Sequence, residues 1–257
     1  MKRLALITVV AATLLGVAIA GGQPVQQGDL RIGFNAGFTP HALPRNQPAP
    51  VRVSLNGTVN TTDGSRPPQL RRISIALNRY GRITTRGLPV CSQGDLESTS
   101  SATALARCRD ALVGRGRFGA DVALSNQPPL PVKGTVLAFN SSVDRKPAIL
   151  VHVYVDSPIQ ATVVLVFRIA HPRSGKFGTV VSTKIPKIAG ELGYVTDISL
   201  SFNRRYRAGG KQLSFLSASC AAPAGFPGAI FSFARGVFVF ADGKSLTSTV
   251  VSDCAVR

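Results

Sequence analysis

Three side chains that could do acid–base chemistry occupy alternate positions of one predicted strand, residues 149–156. Side chains two apart in a strand point to the same face, so His152, Tyr154 and Asp156 would form one stripe. An imidazole beside a phenol and a carboxylate could transfer protons or hold a polar ligand. The same three groups could equally form a hydrogen-bonded polar face of a sheet. An exported hydrolase that uses this stripe is therefore the alternative function.

Known catalytic and cofactor motifs do not support an enzyme. The sequence contains no G-x-S-x-G, S-x-x-K, H-E-x-x-H or P-loop pattern, so no catalytic residue is predicted. Residues 114–119 (GRGRFG) match G-x-G-x-x-G, but a dinucleotide-binding loop must follow a strand and open a helix. The predicted order here is the reverse. We interpret the glycines as a helix end and a turn, and we predict no cofactor.

Four cysteines predict two disulfide bonds. Four cysteines allow three connectivities, and pairing neighbours in sequence is the simplest, Cys91 with Cys108 and Cys220 with Cys254. A structural metal site would need C-x-x-C spacing or nearby histidines. Neither is present, so no metal is predicted.

The first 20 residues predict export. Lys2 and Arg3 precede an apolar run that ends in Ala18-Ile19-Ala20, which is the order of a signal peptide and its cleavage site. Cleavage would leave a mature chain without a transmembrane span; an uncleaved anchor is the alternative. The predicted location is secreted or associated with the cell wall.

The chain is strongly basic. Loss of Lys2 and Arg3 would leave 28 basic residues against 12 acidic ones, a formal charge of +16 instead of +18. Such a field attracts anionic polymers, and no specific nucleic acid is indicated. Tyr80 and Tyr206 lie within clusters of basic residues that are candidates for polyanion binding, although charged turns also keep sheet edges soluble. These candidates are Arg71, Arg72, Arg79, Arg82, Arg204, Arg205, Arg207 and Lys211.

Alternation of apolar and polar residues, the pattern of half-buried strands, dominates the chain. It predicts strands at residues 51–59, 70–77, 118–124, 132–139, 148–155, 159–169, 177–185, 195–202 and 212–219. Residues 236–241 and 245–252 flank Asp242-Gly243, which predicts a hairpin.

One segment has helical spacing. Residues 98–113 predict a single short helix, with Ser100 or Ser101 at its start and Gly114 at its end. The predicted Cys91–Cys108 disulfide would join this helix to the strand before it. Together these elements predict an all-β fold, an antiparallel β-sandwich of jelly-roll or immunoglobulin-like type, with a β-barrel as the alternative.

The predicted organisation is a signal peptide at 1–20, an N-terminal extension at 21–45 and a β-sandwich domain at 46–257. Residues 125–131 contain three prolines and are a possible subdivision of that domain.

Several short segments resemble a group of exported proteins of high-GC bacteria. They are Leu43-Pro44-Arg45, Asp63-Gly64-Ser65, Leu88-Pro89-Val90-Cys91, Ala104-Leu105-Ala106-Arg107-Cys108, Leu112-Val113-Gly114, Leu216-Ser217-Ala218-Ser219-Cys220 and Ser232-Phe233-Ala234. The resemblance implies a bacterial host and paired cysteines, and it implies no activity. We therefore expect a non-enzymatic binding or structural module that associates with anionic polymer at the cell surface.

Overall fold

The computed structural model describes residues 22–158, 160–187 and 192–257, and within them strands dominate. The predicted signal peptide lies outside the described residues. The strands are β1 Val25–Gln27, β2 Leu30–Thr39, β3 Ala42–Leu43, β4 Ala49–Pro50, β5 Arg52–Thr61, β6 Leu70–Asn78, β7 Gly81–Ile83, β8 Leu112–Val122, β9 Leu130–Val143, β10 Lys146–Val155, β11 Ala161–Ala170, β12 Phe177–Lys184, β13 Gly193–Phe202, β14 Arg205–Ala208, β15 Lys211–Ser214, β16 Leu216–Ala218, β17 Gly228–Phe240 and β18 Ser245–Val256. Helix α1 spans Ser101–Cys108 and a 3-10 turn follows at Arg109–Ala111.

Thirteen of these strands form one sheet, in the order β1-β2-β5-β13-β8-β9-β10-β11-β12-β6-β17-β18-β3. Its neighbours pair antiparallel except β18 and β3, which are parallel over two residues. The sheet curls until β18 approaches β2. Gly22 donates a backbone hydrogen bond to the Asn35 side chain, and the Ser248 hydroxyl donates to the Gln23 carbonyl. The segment from Gly22 therefore lies between the two sides of the sheet.

The predicted all-β class with one short helix is confirmed for the described residues. The thirteen strands of the large sheet curl into a half-barrel, which is closer to the barrel alternative than to two separate packed sheets. Strong right-handed twist allows a sheet of this size to curl.

Two ends of the half-barrel differ. At the first end, β5 ends at Thr61, β8 at Val122 and β10 at Val155. These strand ends lie at the same edge of the sheet, because β13 pairs with both β5 and β8, and β9 pairs with both β8 and β10. We call this the open end. At the other, the small sheet β4-β16-β7 and the buried residues Phe215 and Leu216 cover the interior. We call this the sealed end.

Both predicted disulfides are present. Cys91 pairs with Cys108 and Cys220 with Cys254, with Cα atoms 5.5 and 5.6 Å apart. The first joins α1 to a loop, not to a strand as the sequence predicted, because the chain between β7 and α1 forms turns. The second ties the end of β18 to the segment that follows β16.

Helix α1 is shorter than predicted. Ser100 is the N-cap residue, and its side chain accepts a hydrogen bond from the Thr103 backbone at 3.2 Å. The helix ends at Cys108, because the 3-10 turn intervenes and Leu112 already begins β8.

The interpretation of residues 114–119 as a helix end and turn was wrong, because all six lie inside β8. A Cβ atom at Gly116 would stand 1.8 Å from the Ser199 carbonyl oxygen, and one at Gly119 would stand 2.0 Å from a carboxylate oxygen of Asp197. These glycines let β8 lie close against β13.

Two other regions take up sheet positions. Leu30–Thr39, within the predicted N-terminal extension, forms β2 and pairs with β5 over its whole length. Residues 123–129 connect the adjacent antiparallel strands β8 and β9, so Leu130 and Pro131, the last two residues of the possible subdivision, already pair with β8.

Candidate ligand-binding cavity

The inner face of the half-barrel is apolar along nearly every strand. On β10 the inward side chains are Val151, Val153 and Val155, and β11 adds Val163 and Leu165. Alternation places these residues on one face. The other face of β10 and β11 also carries apolar residues, because α1 and its preceding loop pack there over Leu150, Val164 and Val166.

The interior contains two adjoining spaces. The larger, near the open end, has a volume of ≈ 490 Å³, and the smaller, toward the sealed end, has ≈ 100 Å³. They share walls formed by Ile73, Val151, Phe167 and Leu200 among others. Among the described residues, every side chain that lines the larger space is apolar except those of Thr58 and Lys187. We call the two spaces together the cavity.

Side chains do not fill this interior. Ile73, Val163, Leu165, Ile198 and Leu200 face the cavity, yet each is only half-buried. Protein interiors normally reach the packing density of organic crystals, with few voids larger than a water molecule. The accessible surface of these residues is the wall of a space large enough for a ligand.

Aromatic residues close the sealed end. Phe202 and Phe215 line the smaller space with Leu216, and their rings stack with centroids 5.9 Å apart. Phe34 and Phe238 meet edge to face at 5.6 Å on the side where β2 approaches β17 and β18. No polar group of a ligand would find a partner among these rings.

The cavity reaches solvent at the open end. Leu124 lines the larger space and is 41% exposed, and Leu192 is 45% exposed. The Ala123 N–H donates to the Leu192 carbonyl at 2.9 Å, which holds the two segments together. Pro158 and Lys187 are exposed and also line the space. An apolar rim with one nearby cation therefore surrounds the opening.

The predicted His152 stripe lies on the opposite face of the sheet from the cavity. His152 is fully buried, with Nε2 3.0 Å from the Thr99 carbonyl oxygen and 3.3 Å from Thr99 Oγ1. Tyr154 stacks on it at 6.4 Å between ring centroids, whereas Asp156 is exposed beyond the end of β10. Burial lowers the pKa of His152, which a hydrogen bond to Thr99 opposes. His152 holds the covering segment, and Asp156 does not share its buried environment.

The predicted polyanion residues do not form one patch. Arg72 is exposed near the open end of β6 and pairs with Lys184 on β12. Arg79 and Arg82 are exposed beyond the other end of β6. Arg71 is half-buried, and so is Arg204, which donates to the Asp110 carbonyl at 3.1 Å. The most compact group is on the β14–β15 hairpin, where three cations are exposed: Arg205, Arg207 and Lys211.

One cluster of potential metal ligands occurs among the described residues, formed by Cys91, Asp95 and Cys108. Both sulfurs are already joined in a disulfide, and Asp95 accepts a hydrogen bond from the Ser92 hydroxyl at 2.6 Å. The cluster therefore offers no thiolate to a metal.

Comparisons with known proteins find no relative: no family model, curated protein or solved structure matches the chain. Within the described residues, no helix is long and apolar enough to cross a membrane. The cavity is therefore the feature from which function is argued.

Sequence analysis missed the cavity although one signal was present. Residues 163–167 of β11 (VVLVF) are apolar at every position, which predicts a strand covered on both faces. Gly57, midway along β5, faces inward between Leu55 and Val59 and supplies no side chain to fill the interior. Neither pattern reveals a void until the curvature of the sheet is known.

Proposed function

We propose that this protein is a non-enzymatic binding module that is exported and holds an apolar ligand inside the half-barrel. The observation that carries the proposal is the unfilled interior of ≈ 490 Å³ with an apolar wall. Binding pockets for small molecules typically have volumes of about 300–1,000 Å³ and mostly hydrophobic linings. The two disulfides support export, because such bonds persist in oxidising compartments.

The apolar wall of the cavity supports an occupant. The larger space, with a volume of ≈ 490 Å³, reaches solvent at the open end, so its apolar wall is in contact with water. Moving apolar surface out of water contributes roughly 25 cal/mol per Å². An apolar ligand that covers this wall would therefore gain binding free energy.

The polar groups of the wall support a binding role over catalysis. Thr58 and Lys187 are the polar side chains among the described residues that line the larger space, and no described carboxylate or imidazole lines it with them. His152 points away from the cavity to Thr99. A reaction would need a nucleophile or a base beside the ligand.

A cavity-filling variant tests the proposal. The purified protein is stripped of lipid and titrated with 1-anilinonaphthalene-8-sulfonate, a fluorescent probe with an apolar aromatic body and one anionic sulfonate. We expect saturable binding at one site that Val163→Phe weakens at least tenfold, because the larger ring occupies the space. Val251→Phe is the matched control, since Val251 is 45% exposed on the outer face of β18. Equal probe binding by both variants would contradict the proposal.

We also propose a second, weaker association with anionic polymer at the cell surface. Three exposed cations on the β14–β15 hairpin support it, together with the net charge of +18. Binding to a sulfated polysaccharide should weaken linearly with the logarithm of salt concentration. Replacing Arg205, Arg207 and Lys211 by Ala should lower the salt concentration needed for elution more than replacing the exposed residues Arg31, Lys133 and Lys146. Equal elution of the two triple variants would refute a hairpin-specific site.

A further inference from the structure

The shape and polarity of the cavity define the class of ligand. We infer that it is a single-chain acyl amphiphile, bound with its tail toward the sealed end and its polar head at the open end. This inference rests on the proposed function, because it concerns the occupant of the same cavity.

The cavity extends along the strands. Along β10 its wall runs from Ile149 in the smaller space to Val155 in the larger. Those six steps span about 20 Å, at roughly 3.3 Å per residue in a strand. An extended chain advances about 1.2 Å per bond, since three backbone bonds cover roughly 3.3–3.6 Å. A path of this length therefore holds about sixteen bonds of an alkyl chain.

The division of the cavity into two unequal spaces favours a flexible chain over a rigid ring system. The larger space adjoins one of ≈ 100 Å³ at Ile73, Phe167 and Leu200, which line both. A flexible chain needs only rotamer changes of these side chains to extend from one space into the other. A fused-ring ligand would occupy only the larger space and leave the smaller one empty.

Polarity fixes the orientation. Phe202, Phe215 and Leu216 close the far space, and Asn56, a polar residue that also lines it, is uncharged and exposed. A charged head group there would be buried without a charged partner among the described residues, at a high cost in free energy. A few buried polar side-chain atoms of the described residues lack a hydrogen-bond partner. None of these atoms belongs to a residue that lines the cavity. At the open end, Lys187 is exposed and lines the cavity. A carboxylate or phosphate head group would remain hydrated there, beside a cation.

Tryptophan fluorescence can measure the orientation directly, because the sequence has no tryptophan. Two single-tryptophan variants place the reporter at opposite ends, Phe215→Trp at the sealed end and Leu192→Trp at the open end. Each is titrated with stearate that carries a nitroxide quencher at carbon 5 or carbon 16. We expect carbon 16 to quench Phe215→Trp at least twofold more than carbon 5, and the reverse for Leu192→Trp. The opposite pattern would overturn the orientation, and Phe202→Trp replaces Phe215→Trp if that variant does not fold.

Chain length supplies an independent test. Saturated fatty acids of 8 to 18 carbons compete with 1-anilinonaphthalene-8-sulfonate for the lipid-free protein. We expect affinity to rise by up to about fourfold per added methylene and to level off near sixteen carbons. Parallel titration with a lysophospholipid of the same chain length distinguishes a free carboxylate from a phosphate head group, and either result is consistent with the inferred class.

The outcomes separate this inference from the function on which it rests. If the probe binds and Val163→Phe blocks it, but affinity is independent of chain length, the acyl inference fails and the apolar binding function stands. If neither the probe nor any acyl compound binds, both fail.

Discussion

At the scale of single residues, His152 shows how a side chain typical of catalysis can serve packing. Its Nε2 lies 3.0 Å from the Thr99 carbonyl oxygen, which also accepts a hydrogen bond from Thr162 at 2.8 Å. Two side chains from adjacent strands thus hold the turn that leads into α1. Burial favours the neutral imidazole and lowers the pKa of His152, although the hydrogen bond to Thr99 opposes this shift.

That burial makes stability depend on pH. The imidazole pKa is 6.5 in its ordinary state and lower in the fold, so below pH 6.5 the unfolded chain binds more protons. The free energy of unfolding should then fall by up to about 1.4 kcal/mol per pH unit on acidification, until the lowered pKa is reached. Urea titrations from pH 5 to 8 measure it. His152→Gln should remove this pH dependence. His171→Gln, at an exposed site, should keep it. If the free energy of unfolding changes equally with pH in both variants, His152 is not the cause of the pH dependence.

Gly116 is needed for strand contact and not for flexibility. Gly116→Ala would place a Cβ atom 1.8 Å from the Ser199 carbonyl oxygen, so β8 and β13 must separate locally. We expect a loss of roughly 2–4 kcal/mol in the free energy of unfolding, measured by urea denaturation. Gly37→Ala on nearby β2 is the control, because no atom lies within 4 Å of its added Cβ. A similar effect in the two variants would show that close approach is not the reason for the glycine.

At the scale of elements, α1 and its preceding loop form a cover on the outer face of β9 to β11. Leu96 and Ala104 pack there against Leu137 and Phe139, and the Cys91–Cys108 disulfide closes the loop. The cover stands on the opposite side of the sheet from the cavity. Its stability and ligand binding should therefore be separable.

Removal of this disulfide tests that separation. Replacing Cys91 and Cys108 together by Ser should lower the free energy of unfolding by about 3 kcal/mol and speed amide exchange across residues 92–108. The affinity of this variant for 1-anilinonaphthalene-8-sulfonate should stay within about twofold of the affinity of the unmodified protein. The matched variant replaces Cys220 and Cys254 by Ser and so removes the disulfide that joins β18 to the core. Loss of probe binding on removal of the first disulfide alone would show that the cover shapes the cavity.

Local signals explain which elements were predictable. Asp242-Gly243 forms the β17–β18 turn, with Gly243 at φ +84° and the Asp242 side chain accepting from the Lys244 backbone at 3.1 Å. Such turn chemistry lies within four residues, so the sequence reveals it. β2 has clear alternation of Leu30, Ile32 and Phe34, but its role depends on pairing with β5 and on the return of β18 beside it.

At the scale of the whole molecule, the cavity exists because one sheet curls around a space that its inward-facing apolar side chains are too small to fill. The pattern of Val151, Val153 and Val155 predicts an inward face but not what lies opposite. Whether facing residues touch depends on the curvature of thirteen paired strands, a property of pairings distant in sequence. The strands and disulfides could therefore be predicted from the sequence, whereas the candidate site could not.

An unfilled interior predicts that ligand and fold stabilise each other. A ligand at about one hundred times its Kd adds about 2.7 kcal/mol to the free energy of unfolding, or roughly 5–11 °C in Tm for a chain of this size. Differential scanning calorimetry of the lipid-free protein with and without palmitate should show this increase. Val163→Phe should raise the Tm of the lipid-free protein, because the ring fills part of the void, and should abolish the increase with palmitate. Val251→Phe, on the outer surface, should leave both values unchanged. If palmitate fails to raise the Tm of the unmodified protein at concentrations that saturate probe displacement, the acyl chain does not fill the interior.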